Sequence, residues 1–171
     1  MIVATAAALM LLASPAPPAP LIQAPAPAQA TAVGLSIPAM ASFLAAQGLT
    51  VGPVEQDGDR RFIAVADGPV RWVLFFQSCE GDVCSDLQFS FGFSNAGVTM
   101  DGVNRWNRER RFLKAFFEPG ATPQAPAAAA TQFDVLINGV QGVEQLADPL
   151  AVWRSSILEF PAVVISPAPA A

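Results

Sequence analysis

The chain has 171 residues, a net charge of −5, 53% hydrophobic and 13% charged residues, two cysteines and neither histidine nor tyrosine. Its length suits one domain, and its acidic balance disfavours nucleic acid and anionic lipid, both of which require a positive field. Without histidine it lacks the commonest general base and the commonest metal ligand.

Met1 to Ala13 form an apolar run that Pro15, Pro17, Pro18 and Pro20 break. The run is shorter than the roughly 20 residues a membrane-spanning helix needs. It matches the apolar core of a secretory signal, although no Lys or Arg precedes it. Ala28-Gln29-Ala30 fits a cleavage pattern, with an earlier cut near Ala16 as the alternative. The expected organisation is a signal peptide at 1–30, a folded domain at 31–160 and a loosely held Ala/Pro-rich tail at 161–171. The expected location is periplasmic or secreted, with no stable membrane insertion after cleavage.

Ser36 caps a helix opened by Ile37 and Pro38, with Ile37, Met40 and Leu44 on one face and Gly48 as its left-handed stop. Leu49 to Glu55 and Phe62 to Ala66 read as strands joined at Asp57-Gly58-Asp59, and Asp67-Gly68-Pro69 turns again. Val70 to Gln77 is a strongly apolar strand. In Leu87 to Phe93, Leu87, Phe89, Phe91 and Phe93 alternate with Gln88, Ser90 and Gly92, a strand with one buried face. Thr99 caps a second helix running to about Arg111, and Phe112 to Phe117 follows as a strand. Pro119 to Ala130 is a loop, Thr131 to Ile137 a strand ended by Asn138-Gly139, and Asp148-Pro149 opens a last helix with Leu150, Trp153 and Ile157 as its apolar stripe. Short turns between neighbouring strands, with the helices set apart, predict an α+β fold. Its sheet is twisted, mainly antiparallel and of about five to six strands, with the helices packed on it.

Cys79 and Cys84 lie between two strands expected to pair. A redox pair favours C-x-x-C at a helix start, and a metal site needs further Cys or His ligands. The pair therefore reads best as a structural disulfide across the mouth of a hairpin, in keeping with export. Glu80, Asp82 and Asp86 crowd the same turn and read as a solvated loop, the alternative being a cation or acid–base site. There is no G-x-S-x-G, phosphate loop or dinucleotide fingerprint. No catalytic residue, metal or cofactor is expected.

In the second helix, Met100, Val103 and Trp106 form a core face, while Asn104, Asn107, Arg108 and Arg111 share another. Arg105, Arg108, Arg110, Arg111 and Lys114 concentrate positive charge there. The pattern suits either the negative end of a helix, with Asp101 pairing Arg105, or a docking patch for an acidic partner. The candidate patch is Asn104, Trp106, Asn107, Arg108 and Arg111.

Trp72-Val73-Leu74-Phe75-Phe76 leading to Cys79, then Cys84-Ser85-Asp86-Leu87-Gln88-Phe89, then Asn104-Arg105-Trp106-Asn107-Arg108 and Arg111-Phe112 resemble the YbjN domain family of bacteria. The resemblance covers about Ile37 to Phe160 and departs from the pattern at the long Ala/Pro-rich segment Pro119 to Ala130. It implies a fold similar to type III secretion chaperones and a role as a regulator of sensory transduction, with no established activity, cofactor or catalytic residue to carry over. The functional expectation is a non-enzymatic extracytoplasmic binding or regulatory domain. An unknown protein or peptide partner would meet the sheet surface or a sheet edge, and a homodimer is expected by analogy. The alternative is an envelope hydrolase or thiol redox protein using Cys79/Cys84 or the Glu80, Asp82, Asp86 cluster.

Overall fold

The computed structural model describes residues 34–165. The expected signal peptide and its cleavage site, with residues 166–171 of the expected tail, lie outside the described residues.

The elements are β1 (Leu35–Ser36), α1 (Ile37–Ala46), β2 (Thr50–Asp57), β3 (Arg60–Asp67), β4 (Val70–Glu80), β5 (Val83–Ser94), α2 (Met100–Glu109), β6 (Lys114–Glu118), β7 (Ala128–Leu136) and, after two short 3-10 turns, α3 (Ala147–Val164). The strands form one antiparallel sheet in the order β2-β3-β4-β5-β7-β6. The fold is α+β, as the sequence predicts. The two-residue β1 is an addition; it pairs with Val83 and Cys84 of β5, in line with β7, whose pairing to β5 ends at Leu136 opposite Asp86.

β2 to β5 form a meander because each of three hairpins closes on a two-residue loop led by glycine. Gly58, Gly68 and Gly81 all have φ near 60, while Asp59, Pro69 and Asp82 follow them at negative φ. That is the Gly-first turn whose twist matches that of paired strands. The third hairpin corrects the sequence reading. β4 and β5 continue through Cys79 and Cys84, so the cysteines lie within paired strands and the loop is only Gly81-Asp82.

One face of the sheet is buried. Ile63, Val65, Trp72, Leu74, Phe76, Leu87 and Phe89 point into it, and the alternate residues Phe62, Phe75, Gln88 and Ser90 are half-buried. All three helices contribute to that single core. α1 brings Ile37, Met40 and Leu44, α2 brings Val103 and Trp106, and α3 brings Leu150, Trp153, Ile157, Phe160 and Val164. Trp153 meets Trp72 and Phe89 with ring centroids 5.8 and 5.5 Å away. Phe160 is met edge-on by Trp106 at 5.0 Å.

Caps define the helix starts. Ser36 Oγ accepts from Ala39 N–H and Thr99 Oγ1 from Gly102 N–H. Three further boundaries differ from the sequence reading. α2 ends at Glu109, two residues early, because Arg110 is extended. α3 begins at Ala147, so Asp148 lies in its first turn and does not cap it. α3 also runs past Phe160 through Pro161 to Val164, which is fully buried, so residues 161–165 belong to the folded body.

α2 and α3 touch at Gly102, where a Cβ would overlap the Val164 carbonyl. Alanine is the better helix former by about 1 kcal/mol, yet Gly102→Ala is expected to destabilise the domain by about 1–2 kcal/mol because the two backbones must separate. A lower urea midpoint for the variant checks this; a higher one would mean that the helices part freely.

Both sheet edges are blunted. On β2, Pro53 and a register shift between Val51 and Val54 interrupt the pairing edge. On β6 the device is a side chain from α2.

Candidate functional site

Cys79 and Cys84 stand directly opposite on β4 and β5 and are disulfide-bonded, with Cα atoms 4.0 Å apart. Cys84 is fully buried and Cys79 is half-buried. The hairpin they close anchors the start of the domain. Ile37 N–H donates to the Asp82 carbonyl at 2.9 Å, and β1 pairs alongside. Arg61 bonds both the Asp82 carboxylate, at 3.0 Å, and the Gly81 carbonyl. The three acids of this region do not converge. Asp82 is taken by Arg61, Glu80 is exposed, and Asp86 lies beside Asp134 of β7. Among the described residues no three acidic or sulfur side chains gather in a metal-binding group.

Asp86 belongs to a polar row on the half-exposed sheet face. Its neighbour is Asp134 of β7, which Lys114 meets at 2.8 Å and to which Gln88 donates at 2.7 Å. Burial, then the Asp134 charge, raises the Asp86 pKa above 3.8, and its Oδ1 has no hydrogen-bond partner among the described residues. Burial pushes Asp134 upward as well, but hydrogen bonds from Lys114 and Gln88 outweigh it and hold Asp134 below 3.8. The two carboxylates therefore act oppositely on stability. Asp86 keeps its proton longer when folded, so its penalty is absent below 3.8 and complete once the pH exceeds its folded pKa. Asp134 contributes stability above 3.8 that is lost as the pH falls through its folded pKa. Asp86→Asn is thus expected to raise the urea midpoint at neutral pH, with the gain fading as the pH falls through the folded pKa of Asp86 and gone below 3.8; a gain independent of pH would show that the charge is not the cause.

A shallow recess of about 440 Å³ opens at the hairpin end of the sheet, lined among others by Arg60, Phe75, Gln77, Cys79 and Gln88. The Arg60 guanidinium stacks 4.1 Å above the Phe75 ring.

The basic helix divides into structure and surface. Trp106 cannot be a surface contact, being 0% exposed. Asn107 does not point to a partner either. Its Nδ2 donates to the Ala115 carbonyl at 3.0 Å and its Oδ1 accepts from Ala115 N–H at 2.8 Å. The amide thus imitates a neighbouring strand and occupies the outer edge of β6. Arg105 donates to the Val163 carbonyl instead of pairing Asp101, and Arg110 pairs with Glu159 at 3.2 Å. Asn104, Arg108 and Arg111 remain exposed. Arg111 lies beyond the helix end, so it shares no helical face with Asn104 and Arg108. Among the described residues, neither Arg108 nor Arg111 has an acidic partner, whereas Arg61, Arg110, Lys114 and Arg154 each have one.

In the sequence Phe112 stands only as part of the Arg111-Phe112 pair that resembles the family, with no role in the candidate patch. It reads there as the first residue of a strand, but its φ is 75 and its side chain is 61% exposed. No Gly, Asn or Pro marks this turn, so local sequence carries no signal for it.

No curated protein and no solved structure matches the chain. A family model does, over residues 37–165, and its description is "Putative bacterial sensory transduction regulator". The match runs from the first residue of α1 to the residue that follows α3, and takes in the cysteine hairpin, the Asn107 clamp on β6 and the basic end of α2. The chain belongs to the YbjN family.

Proposed function

We propose that this domain is a non-enzymatic, extracytoplasmic binding and regulatory module whose partner is a protein or peptide, and that the partner meets it at the C-terminal end of α2. The observation that carries this reading is the pair Arg108 and Arg111, two exposed cations without an acidic partner among the described residues of a chain with net charge −5. Arg60 and Arg71 are also exposed without an acidic partner among the described residues, but they lie apart from each other on β3 and β4 and Arg60 stacks on Phe75, whereas Arg108 and Arg111 stand three residues apart and together can steer an acidic partner. The family membership supports a regulatory role. The apolar run of Met1 to Ala13 and the bonded cysteines agree with an oxidising compartment.

The test is crosslinking in envelope extracts, comparing wild type with an Arg108→Glu/Arg111→Glu variant of equal thermal stability. A partner captured by the wild type and lost by the variant is the expected result. Equal capture by both would move the contact elsewhere. N-terminal sequencing of the mature chain tests the location, with a start after Ala30 expected; an uncleaved cytosolic chain would overturn the exported part of the reading.

A further inference from the structure

Beside the two cations the backbone adopts an unusual conformation. Leu113 N–H donates to the Arg111 carbonyl at 2.9 Å, and Phe112 between them has φ 75. This closes a γ-turn of the positive-φ kind, which is rare and strained, most of all for a bulky residue. The turn holds an aromatic ring in water. Phe112 is 61% exposed, with the Arg111 guanidinium 5.1 Å from its ring centroid and the Phe133 ring 6.3 Å away. Strain and apolar exposure both work against the isolated domain, and such outliers gather where a ligand is held.

The same corner has an unfinished sheet edge. β6 starts at Lys114 opposite Gln132, while β7 runs on to Leu136. Ala115 turns its backbone groups outward to Asn107, and Ile137 N–H reaches back to the Ser85 carbonyl of β5. By alternation, Asp134 and Leu136 direct their N–H and C=O groups toward the β6 side, past the point where β6 begins. Leu136 is 83% exposed. The Asn107 clamp closes the outer edge of β6 at Ala115, and beyond it no described residue pairs with β7 on that side.

We propose that this corner captures an extended, acidic segment of a partner protein. The segment pairs with the backbone of Asp134 and Leu136 as a short strand in line with β6, covers the Phe112 ring and meets Arg108 and Arg111 with its carboxylates. Backbone pairing supplies affinity that does not depend on sequence, while the cations and the aromatic ring select charge and apolar content. Charge complementarity points to an acidic segment, because the neighbouring cations Lys114 and Arg110 are already paired with Asp134 and Glu159 while Arg108 and Arg111 are not. The proposal rests on the binding reading above and adds the shape and charge of what is bound.

The test uses the isotope-labelled mature chain and two synthetic octapeptides, one alternating Glu and Val, the other Lys and Val. The Glu peptide is expected to shift the backbone amides of Asp134 and Leu136, and to lose affinity as salt is added. The Lys peptide is expected to leave those amides unmoved. Phe112→Gly separates the proposal from a structural role. Glycine accepts the positive φ without strain, so this variant is expected to melt at a higher temperature yet bind the Glu peptide about tenfold more weakly or worse. The proposal is overturned if both peptides bind alike, if neither binds, if the shifts fall on the Phe62–Phe75 face, or if Phe112→Gly melts lower with unchanged binding. Capture of the same crosslinked partner by wild type and Phe112→Gly would remove the proposal and leave the binding reading standing. Absence of any partner for the wild type would remove the binding reading itself.

Discussion

Trp106→Ala is expected to destabilise the domain by about 3–5 kcal/mol, the range for deleting a fully buried aromatic side chain. The indole is 0% exposed, sits where α2 meets α3, and presents its ring to Phe160 at 5.0 Å and 79°. Alanine would leave a cavity between two helices whose contact at Gly102 is already too close for further collapse. Trp106→Phe makes an informative contrast. The Trp106 Nε1 is buried with no hydrogen-bond partner among the described residues, so phenylalanine removes an unsatisfied donor while keeping most of the apolar ring. Its cost is expected to stay below about 1.5 kcal/mol. Urea unfolding followed by circular dichroism measures both variants. Near-equal costs would mean that the indole N–H is satisfied after all, and a small cost for alanine would place Trp106 outside the core.

Asn107→Ala is expected to cost about 2–3 kcal/mol. The substitution deletes two hydrogen bonds together and leaves the N–H and C=O of Ala115, a buried residue, without a partner. The loss is local and has its own signature. Hydrogen exchange at the Ala115 amide should accelerate, while the amides that pair β4 with β5 should keep their protection. Asn107→Asp should recover only part of the loss, since a carboxylate accepts from Ala115 N–H but donates nothing to its carbonyl. If Asn107→Ala left both the melting temperature and the Ala115 exchange rate unchanged, the clamp would carry no energy and the edge of β6 would be held by packing alone.

What was legible in the sequence follows from local physics. The alternation from Leu87 to Phe93 identifies β5 because side chains on a strand point to opposite faces in turn, and Ser36 and Thr99 announce their helices through hydroxyls that reach orphan N–H groups. The Gly58 and Gly68 hairpins are marked by a residue free to take positive φ. The third hairpin was obscured because Gly81-Asp82 sits among acids and cysteines and resembles a solvated loop. The end of α3 departs from the sequence pattern for a different reason. Proline inside a helix costs about 3 kcal/mol or more, which argues for a stop before Pro161, but burial of Phe160 and Val164 against α2 and the sheet holds the helix on course. In the basic helix, sequence could place five charged side chains near one another without saying which were engaged.

By itself the sequence determined the α+β order, the antiparallel meander, the caps of α1 and α2, the pairing partners of the two cysteines and the family. Each is written in short-range patterns of hydrophobicity, turn residues and motif spacing. Only the tertiary structure decided that Trp106 is core, that Asn107 serves β6, that Arg108 and Arg111 have no acidic partner among the described residues, and that Phe112 is held out in a γ-turn beside the end of β7 that β6 leaves uncovered. These outcomes depend on which distant backbone groups and charges come within hydrogen-bonding reach. That is set by how α2, α3 and the sheet edge pack against one another, and no local period in the chain encodes it.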